Sequence, residues 1–280
     1  MLNICYRGPL DSCNYHCWYC PFSKTRISKR NISDDQRALE RFVEWVARRT
    51  EELSVLFTPW GEAAIYHSYQ SALIELSHMT HVGVCGIQTN LSCGLEWLEN
   101  CDRNRLRLWI SWHPDQISET RFCEKLFALV SMGVNFNVGL VALPENIHYA
   151  ERLKKILPSS IYVWLNAAKD QGVFYDSDIL SRWSRVDPLF GLNVEDFRTL
   201  GKQCRAGWDH VLIDGVGDVR RCHFIREKIG NIYSQDLPDI LYQKKVACSN
   251  LVCGCYLGQA VFSGDRFQHH LGSLITRSFS

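Results

Sequence analysis

The sequence predicts an α/β fold, a partial (β/α)6 TIM-like barrel followed by a small C-terminal domain built on a β-hairpin. Three observations predict it. Short runs rich in β-branched and aromatic residues recur through the first 165 residues, amphipathic helical patterns lie between them, and near residue 198 this rhythm gives way to a Gly-rich, Cys-rich stretch. Strands that alternate with helices pair in parallel through right-handed crossovers, which argues against a sandwich.

The strand-like runs fall at 2–6, 53–57, 82–87, 106–111, 136–141 and 161–165. The clearest helix begins at SDDQRALERFVEWVARR, with Ser33 as N-cap, Asp34 and Asp35 at the positive helix end, and Leu39, Phe42, Val43 and Val46 as an apolar stripe. Further helices fit 69–77, 119–132 and 149–157. In the C-terminal part VLIDGVGDVRRC reads as a hairpin, with strands at 211–213 and 218–222 and a turn at Asp214-Gly215. The expected domains are 1–198 for the barrel and 199–260 for the hairpin domain, with a tail over 261–280.

Composition narrows the setting. A net charge of +1 over 280 residues gives no electrostatic reason to expect a nucleic-acid or membrane partner. There is no leader-like N-terminus and no stretch near the roughly 20 apolar residues of a membrane span, so a soluble, cytoplasmic chain is expected. Thirteen cysteines in a reducing compartment point to metal or redox chemistry instead of a disulfide framework.

The chemistry concentrates in YRGPLDSCNYHCWYCPF. Cys13, Cys17 and Cys20 share one loop after the first strand and are too few to close a tetrahedral zinc site. A [4Fe–4S] cube takes one ligand per iron, so three thiolates leave one iron for a non-protein ligand. An incomplete zinc knuckle or a group of structural thiols are the alternatives. The Cys-x3-Cys-x2-Cys spacing, with Tyr19 just before the last Cys, closely resembles the signature of the radical S-adenosylmethionine superfamily. The resemblance implies that S-adenosylmethionine chelates the fourth iron through its amino and carboxylate groups.

Other positions extend the resemblance. Trp60-Gly61-Glu62 resembles the Gly-Gly-Glu turn that binds the methionine amino group, with Trp in place of the first Gly; Glu62 as a helix cap is the plainer reading. Thr89 and Asn90 resemble a Thr-Asn segment found after the third strand in several members. Ser111 and Asn137, on the fourth and fifth strands, complete the candidate ribose or carboxylate contacts, although polar residues at strand ends are often only turn formers. The C-terminal part resembles the twitch domain, a reduced relative of the SPASM domain that binds an auxiliary [4Fe–4S] cluster. That implies Cys204, Cys222, Cys253 and Cys255 as ligands, with a Cys-x-Cys pair where relatives have Cys-x2-Cys and with Cys248 left over. A zinc hairpin is the alternative.

The function implied is reductive cleavage of S-adenosylmethionine to a 5′-deoxyadenosyl radical that abstracts hydrogen from a small-molecule or peptide substrate, with electrons from a flavodoxin- or ferredoxin-type donor. Two outcomes follow. In one, Cys248 returns a hydrogen and epimerises a sugar, an aminoglycoside or a peptide. In the other, the auxiliary cluster takes an electron and the result is dehydrogenation or bond formation. Tyr15, Trp18, Tyr19 and Phe22 suit a dry wall or simple packing, and the basic run 23–30 suits cluster balance, donor docking or a solvated loop. Residues 164–169 are candidate substrate contacts, His269-His270 reads as solvated tail, and Cys5, Cys85, Cys93, Cys101 and Cys123 read as core. A non-enzymatic alternative is a zinc-binding adaptor that meets a protein or RNA through residues 26–30.

Overall fold

The computed structural model describes residues 1–22, 29–195 and 197–254. Six parallel strands run in chain order: β1 (Leu2–Arg7), β2 (Leu53–Phe57), β3 (Val82–Thr89), β4 (Leu106–Ser111), β5 (Asn135–Val141) and β6 (Val163–Asn166). The helices between them are α1 (Lys29–Ala47), α2 (His67–His78), α3 (Glu119–Ser131) and α4 (Ile147–Ile156). The crossover from β3 to β4 carries only a 3-10 turn, Glu96–Asn100, so that unit lacks the α-helix that the alternation predicts. Two short helices, α5 (Ser177–Ser184) and α6 (Phe190–Val194), follow β6.

Two faces of the sheet differ in chemistry. Ile4 and Tyr6, Val55 and Phe57, Leu108 and Ile110, and Val138 and Leu140 are buried against the helices in the main core. The predicted stripe of α1 docks there, with Phe42 stacked on Tyr6 at 4.2 Å between ring centroids. On the opposite face Cys5, Leu56, Trp109, Tyr162, Trp164 and Leu212 form a smaller cluster. Strand alternation places buried Asn3, Ser54, Asn137 and His210 on that same face, so it mixes apolar and polar groups.

The N-terminus of α1 differs from expectation. The helix starts at Lys29, so Ser33 lies inside it and accepts a hydrogen bond from Arg37 at 3.0 Å instead of capping the end. Asp34 pairs with Arg37. Asp35 turns into the core, where its carboxylate accepts from Leu10 N at 3.0 Å and from the Tyr69 hydroxyl at 3.2 Å. Long-range partners thus claim a carboxylate that local sequence assigns to the helix dipole.

The predicted hairpin forms as β9 (His210–Asp214) and β10 (Asp218–Cys222), extended by β11 (Ile225–Asn231). β9 also pairs in parallel with β1, with Asn3 opposite His210 and Arg7 opposite Asp214, so the sheet runs unbroken through nine strands from β11 to β6. Four two-residue strands, β7 (Phe197–Arg198), β8 (Gln203–Cys204), β12 (Val246–Ala247) and β13 (Val252–Cys253), form the separate ladders β8–β12 and β7–β13. No helix among the described residues is long and apolar enough to cross a membrane.

Candidate functional site

The cysteine loop leaves β1 at its C-terminal end, where parallel α/β sheets gather ligand-binding groups. It is gripped from two sides. On the first side Glu62 N donates to Ser12 O at 3.0 Å, and a Cβ at Gly61 would lie 1.7 Å from the same carbonyl. Gly61 is therefore required by close backbone approach, whatever else this turn does. Asn90 Nδ2 reaches Asn14 Oδ1 at 3.2 Å and Cys13 Sγ at 3.7 Å, and Asn14 Nδ2 donates to Ser92 Oγ at 3.0 Å. Between these residues Leu91 holds φ of 58°, a left-handed conformation that costs a branched residue energy and recurs at functional sites.

On the second side the turn after β4 holds the loop. His16 N donates to Gln116 Oε1 at 2.9 Å, and the Tyr19 hydroxyl meets His113 Nδ1 at 2.9 Å and Asp115 Oδ1 at 3.1 Å. Gln171 Nε2 reaches the backbone carbonyl of Tyr19 at 3.4 Å. The ring of Tyr19 is buried with Cys17, Leu143 and Ala168. Trp18 and Phe22 are exposed, so the loop aromatics do not form one dry wall. Trp60 is 46% exposed, stacks on Phe22 at 6.0 Å and lies under the guanidinium of Arg7 at 5.4 Å.

Glu62 is the most constrained carboxylate of the site. It is 2% exposed and accepts from Ala64 N at 3.0 Å, Thr89 Oγ1 at 2.8 Å and Asn90 N at 2.5 Å. Burial pushes it up to about 7 against the opposing pull of those donors. Thr89 in turn accepts from Leu91 N at 2.9 Å, so Glu62 and Thr89 act as a bracket between the turns after β2 and β3. Ser111 stands opposite Gly139 at the end of β4. Asn137 sits one register layer deeper, beside Trp109, and its Oδ1 accepts from Trp164 Nε1 at 2.8 Å. Tyr19, Trp60, Gly61, Glu62, Thr89 and Asn90 thus gather around the cysteine loop, while Ser111 and Asn137 stay on the sheet, at the end of β4 and one layer deeper on β5.

Burial raises the Cys13 thiol and pushes Cys17 up to about 12. Uncoordinated, both are neutral thiols near pH 7, and a coordinated metal deprotonates such groups. Tyr15 N already donates to Cys13 Sγ at 3.4 Å, a bond that strengthens for a thiolate. Among the described residues no three His, Cys, Asp or Glu side chains converge as a metal-holding group. The donor set nevertheless fits an iron–sulfur cube: three thiols on one clamped loop, with an N–H directed at sulfur.

A second group of thiols includes Cys222 at the end of the hairpin, with Cys204 before the hairpin and Cys248 and Cys253 after it in the chain. Burial is the first cause that raises Cys204 and Cys222, and each also feels the charge of the other cysteines: Cys204 that of Cys222 and Cys248, and Cys222 that of Cys248. Cys204 ends β8 opposite Val246, and Cys248 N donates to Lys202 O at 2.9 Å. Arg221 stitches this region together through the carbonyls of Ala206, Val246 and Ala247. Cys253 lies on the other ladder, opposite Phe197. Cys255, residues 23–28 of the basic run and His269-His270 lie outside the described residues.

Sequence reasoning assigns no role to His210 or His223. Burial pushes His210 down to about 4, its Nδ1 has no hydrogen-bond partner, and its Nε2 lies 3.9 Å from Cys5 Sγ. Both ring nitrogens of His223 are buried without a partner. No local motif marks them; His210 lies on β9, where pairing with β1 sets it opposite Asn3. Of the expected substrate contacts at 164–169, Trp164 is buried and Lys169 Nζ donates to Glu195 O at 2.8 Å. Cys5, Cys85, Cys93, Cys101 and Cys123 are all buried.

No family model matches the chain, and no curated protein matches it. Solved structures do. Native anSMEcpe with bound AdoMet superposes with a TM-score of 0.56 at 16% identity, over 86% of this chain and 80% of that one. Hexahistidine-tagged anSMEcpe with bound AdoMet gives 0.55 at 15% identity, over 85% and 79%. Native anSMEcpe with bound AdoMet and the Cp18Cys peptide gives 0.54 at 14% identity, over 85% and 80%. All three of these neighbours carry bound AdoMet. At such identities the likeness establishes a shared fold, an α/β architecture with a large, mostly parallel sheet.

Proposed function

We propose that the chain is a radical S-adenosylmethionine enzyme with a [4Fe–4S] cluster on Cys13, Cys17 and Cys20. One observation carries the reading: the three thiols occupy a loop at the C-terminal end of β1, and that loop is docked through Ser12 onto Gly61 and Glu62. When bound, the reduced cluster and S-adenosylmethionine supply a 5′-deoxyadenosyl radical able to take hydrogen from an unactivated carbon. The chain's own residues orient and shelter that chemistry. Trp60-Gly61-Glu62 and Asn90 border the loop where the methionine end would lie, Tyr19 offers its backbone while its side chain is anchored below, and Ser111 and Asn137 continue the polar track along the sheet. His210 and His223 offer unpartnered nitrogens to a small-molecule or peptide substrate.

A second iron–sulfur site on Cys204, Cys222 and Cys248, completed by Cys253 or Cys255, is supported by the β8–β12 pairing that sets Cys204 beside the strand leading to Cys248, whose N–H donates to Lys202 O. Cys248 is then a ligand, and the outcome favoured is oxidative, a dehydrogenation or bond formation that passes an electron to the auxiliary cluster. Epimerisation with Cys248 as hydrogen donor is the second reading. The two part on Cys248→Ala: lost iron supports the ligand role, and full iron supports the donor.

Electrons would come from a flavodoxin- or ferredoxin-type donor. Replacing Cys13, Cys17 and Cys20 together with Ala is expected to abolish 5′-deoxyadenosine formation from S-adenosylmethionine and dithionite. Retained cleavage would sink the reading, and a colourless protein that binds zinc would favour the adaptor.

A further inference from the structure

The turn after β4 does more than support the cysteine loop. The Tyr19 hydroxyl has one proton and three neighbours able to engage it: His113 Nδ1 at 2.9 Å, Asp115 Oδ1 at 3.1 Å, and Cys17 Sγ, with which it also forms a hydrogen bond. Burial holds the His113 ring well below its usual range, so it is neutral and its single N–H can point at the phenol oxygen. The phenol proton is then shared between a carboxylate and a sulfur. A carboxylate is a strong, charge-assisted acceptor, and this one is oriented by Gln116, whose Nε2 donates to Asp115 Oδ2 at 2.8 Å. Tyr19 packs against Cys17, so the Asp115 carboxylate that its hydroxyl engages also brings negative charge toward that thiol.

We propose that Asp115 is a positioning residue that keeps the iron–sulfur site strongly reducing, by drawing the Tyr19 proton away from the Cys17 sulfur and by placing negative charge beside that ligand. The inference rests on the cluster reading above. Hydrogen bonds to cluster sulfurs and loss of nearby negative charge both raise a cluster's potential, so the two effects of Asp115 share one sign. Its carboxylate is solvent-exposed, which screens the charge; the hydrogen bond carries the larger share.

The test is a redox titration of the reconstituted enzyme, followed through the EPR signal that changes when S-adenosylmethionine is added. Asp115→Asn is expected to bind full iron and to show a midpoint shifted to more positive potential. Asp115→Glu should return it toward wild type. Adding Tyr19→Phe to Asp115→Asn should shrink the shift, because no hydroxyl remains to be released to sulfur. An Asp115→Asn midpoint that is unchanged or more negative overturns the inference alone, as does loss of iron with the remaining signal unmoved. A wild type without an S-adenosylmethionine-sensitive signal overturns the cluster reading and this inference with it.

Discussion

Asp35 ties three elements at one carboxylate: it sits on α1, accepts from Leu10 at the root of the cysteine loop, and accepts from Tyr69 on α2. Burial pushes it up to about 6 from an ordinary value of 3.8, so the folded protein holds this proton more tightly than the unfolded chain. Asp35 therefore contributes most below about pH 4, and its contribution is lost as pH rises through about 6. In Asp35→Asn that component disappears. Urea denaturation at several pH values should therefore show the stability of wild type relative to the variant falling between about pH 4 and pH 6, by on the order of 1–3 kcal/mol. A constant difference across that range would contradict this account. At this scale the cysteines are legible because ligand spacing is local. Asp35, His113 and His210 are not, since each takes its role from a partner far away in sequence.

Elements are legible where they are periodic and obscure where they are short. The strands at 53–57 and 106–111 and the stripe of α1 match the pattern residue by residue, the strands as short apolar runs covered on both faces and the helix through the one face that it buries. The 3-10 crossover before β4 and the extra turn at the start of α1 carry no such period. The turn after β2 makes the sharpest element-level prediction. Gly61→Ala would drive a Cβ into the Ser12 carbonyl, so the two turns must part while the sheet, whose strands do not depend on that contact, persists. Far-UV circular dichroism should be nearly unchanged and iron bound at the N-terminal site should fall several-fold. Full iron in the variant would show that this docking does not organise the cysteine loop.

Across the whole molecule the β1–β9 pairing matters most and is least visible in the sequence. A hairpin at 211–222 can be read from its turn, yet nothing local says that its first strand joins a partner more than 200 residues earlier. That parallel pairing makes β1 an interior strand and covers Val211 and Ile213 completely. Ending the chain at residue 198 would expose β1 as a long apolar edge, a template for aggregation. Such a truncation is expected to elute as aggregate in size-exclusion chromatography, and a stable monomer would show that the barrel part folds alone. The continuous sheet also fixes the hairpin thiols relative to the N-terminal loop.

The central claim is that S-adenosylmethionine meets an iron–sulfur cluster held by Cys13, Cys17 and Cys20. The most direct measurement is the EPR spectrum of the anaerobically reconstituted, dithionite-reduced protein with and without S-adenosylmethionine, with the triple Ala variant of those cysteines as control. The account predicts a reduced-cubane signal whose shape changes on adding S-adenosylmethionine, and a control in which no signal responds. A wild-type spectrum that S-adenosylmethionine leaves untouched, or a response that survives in the control, would contradict it.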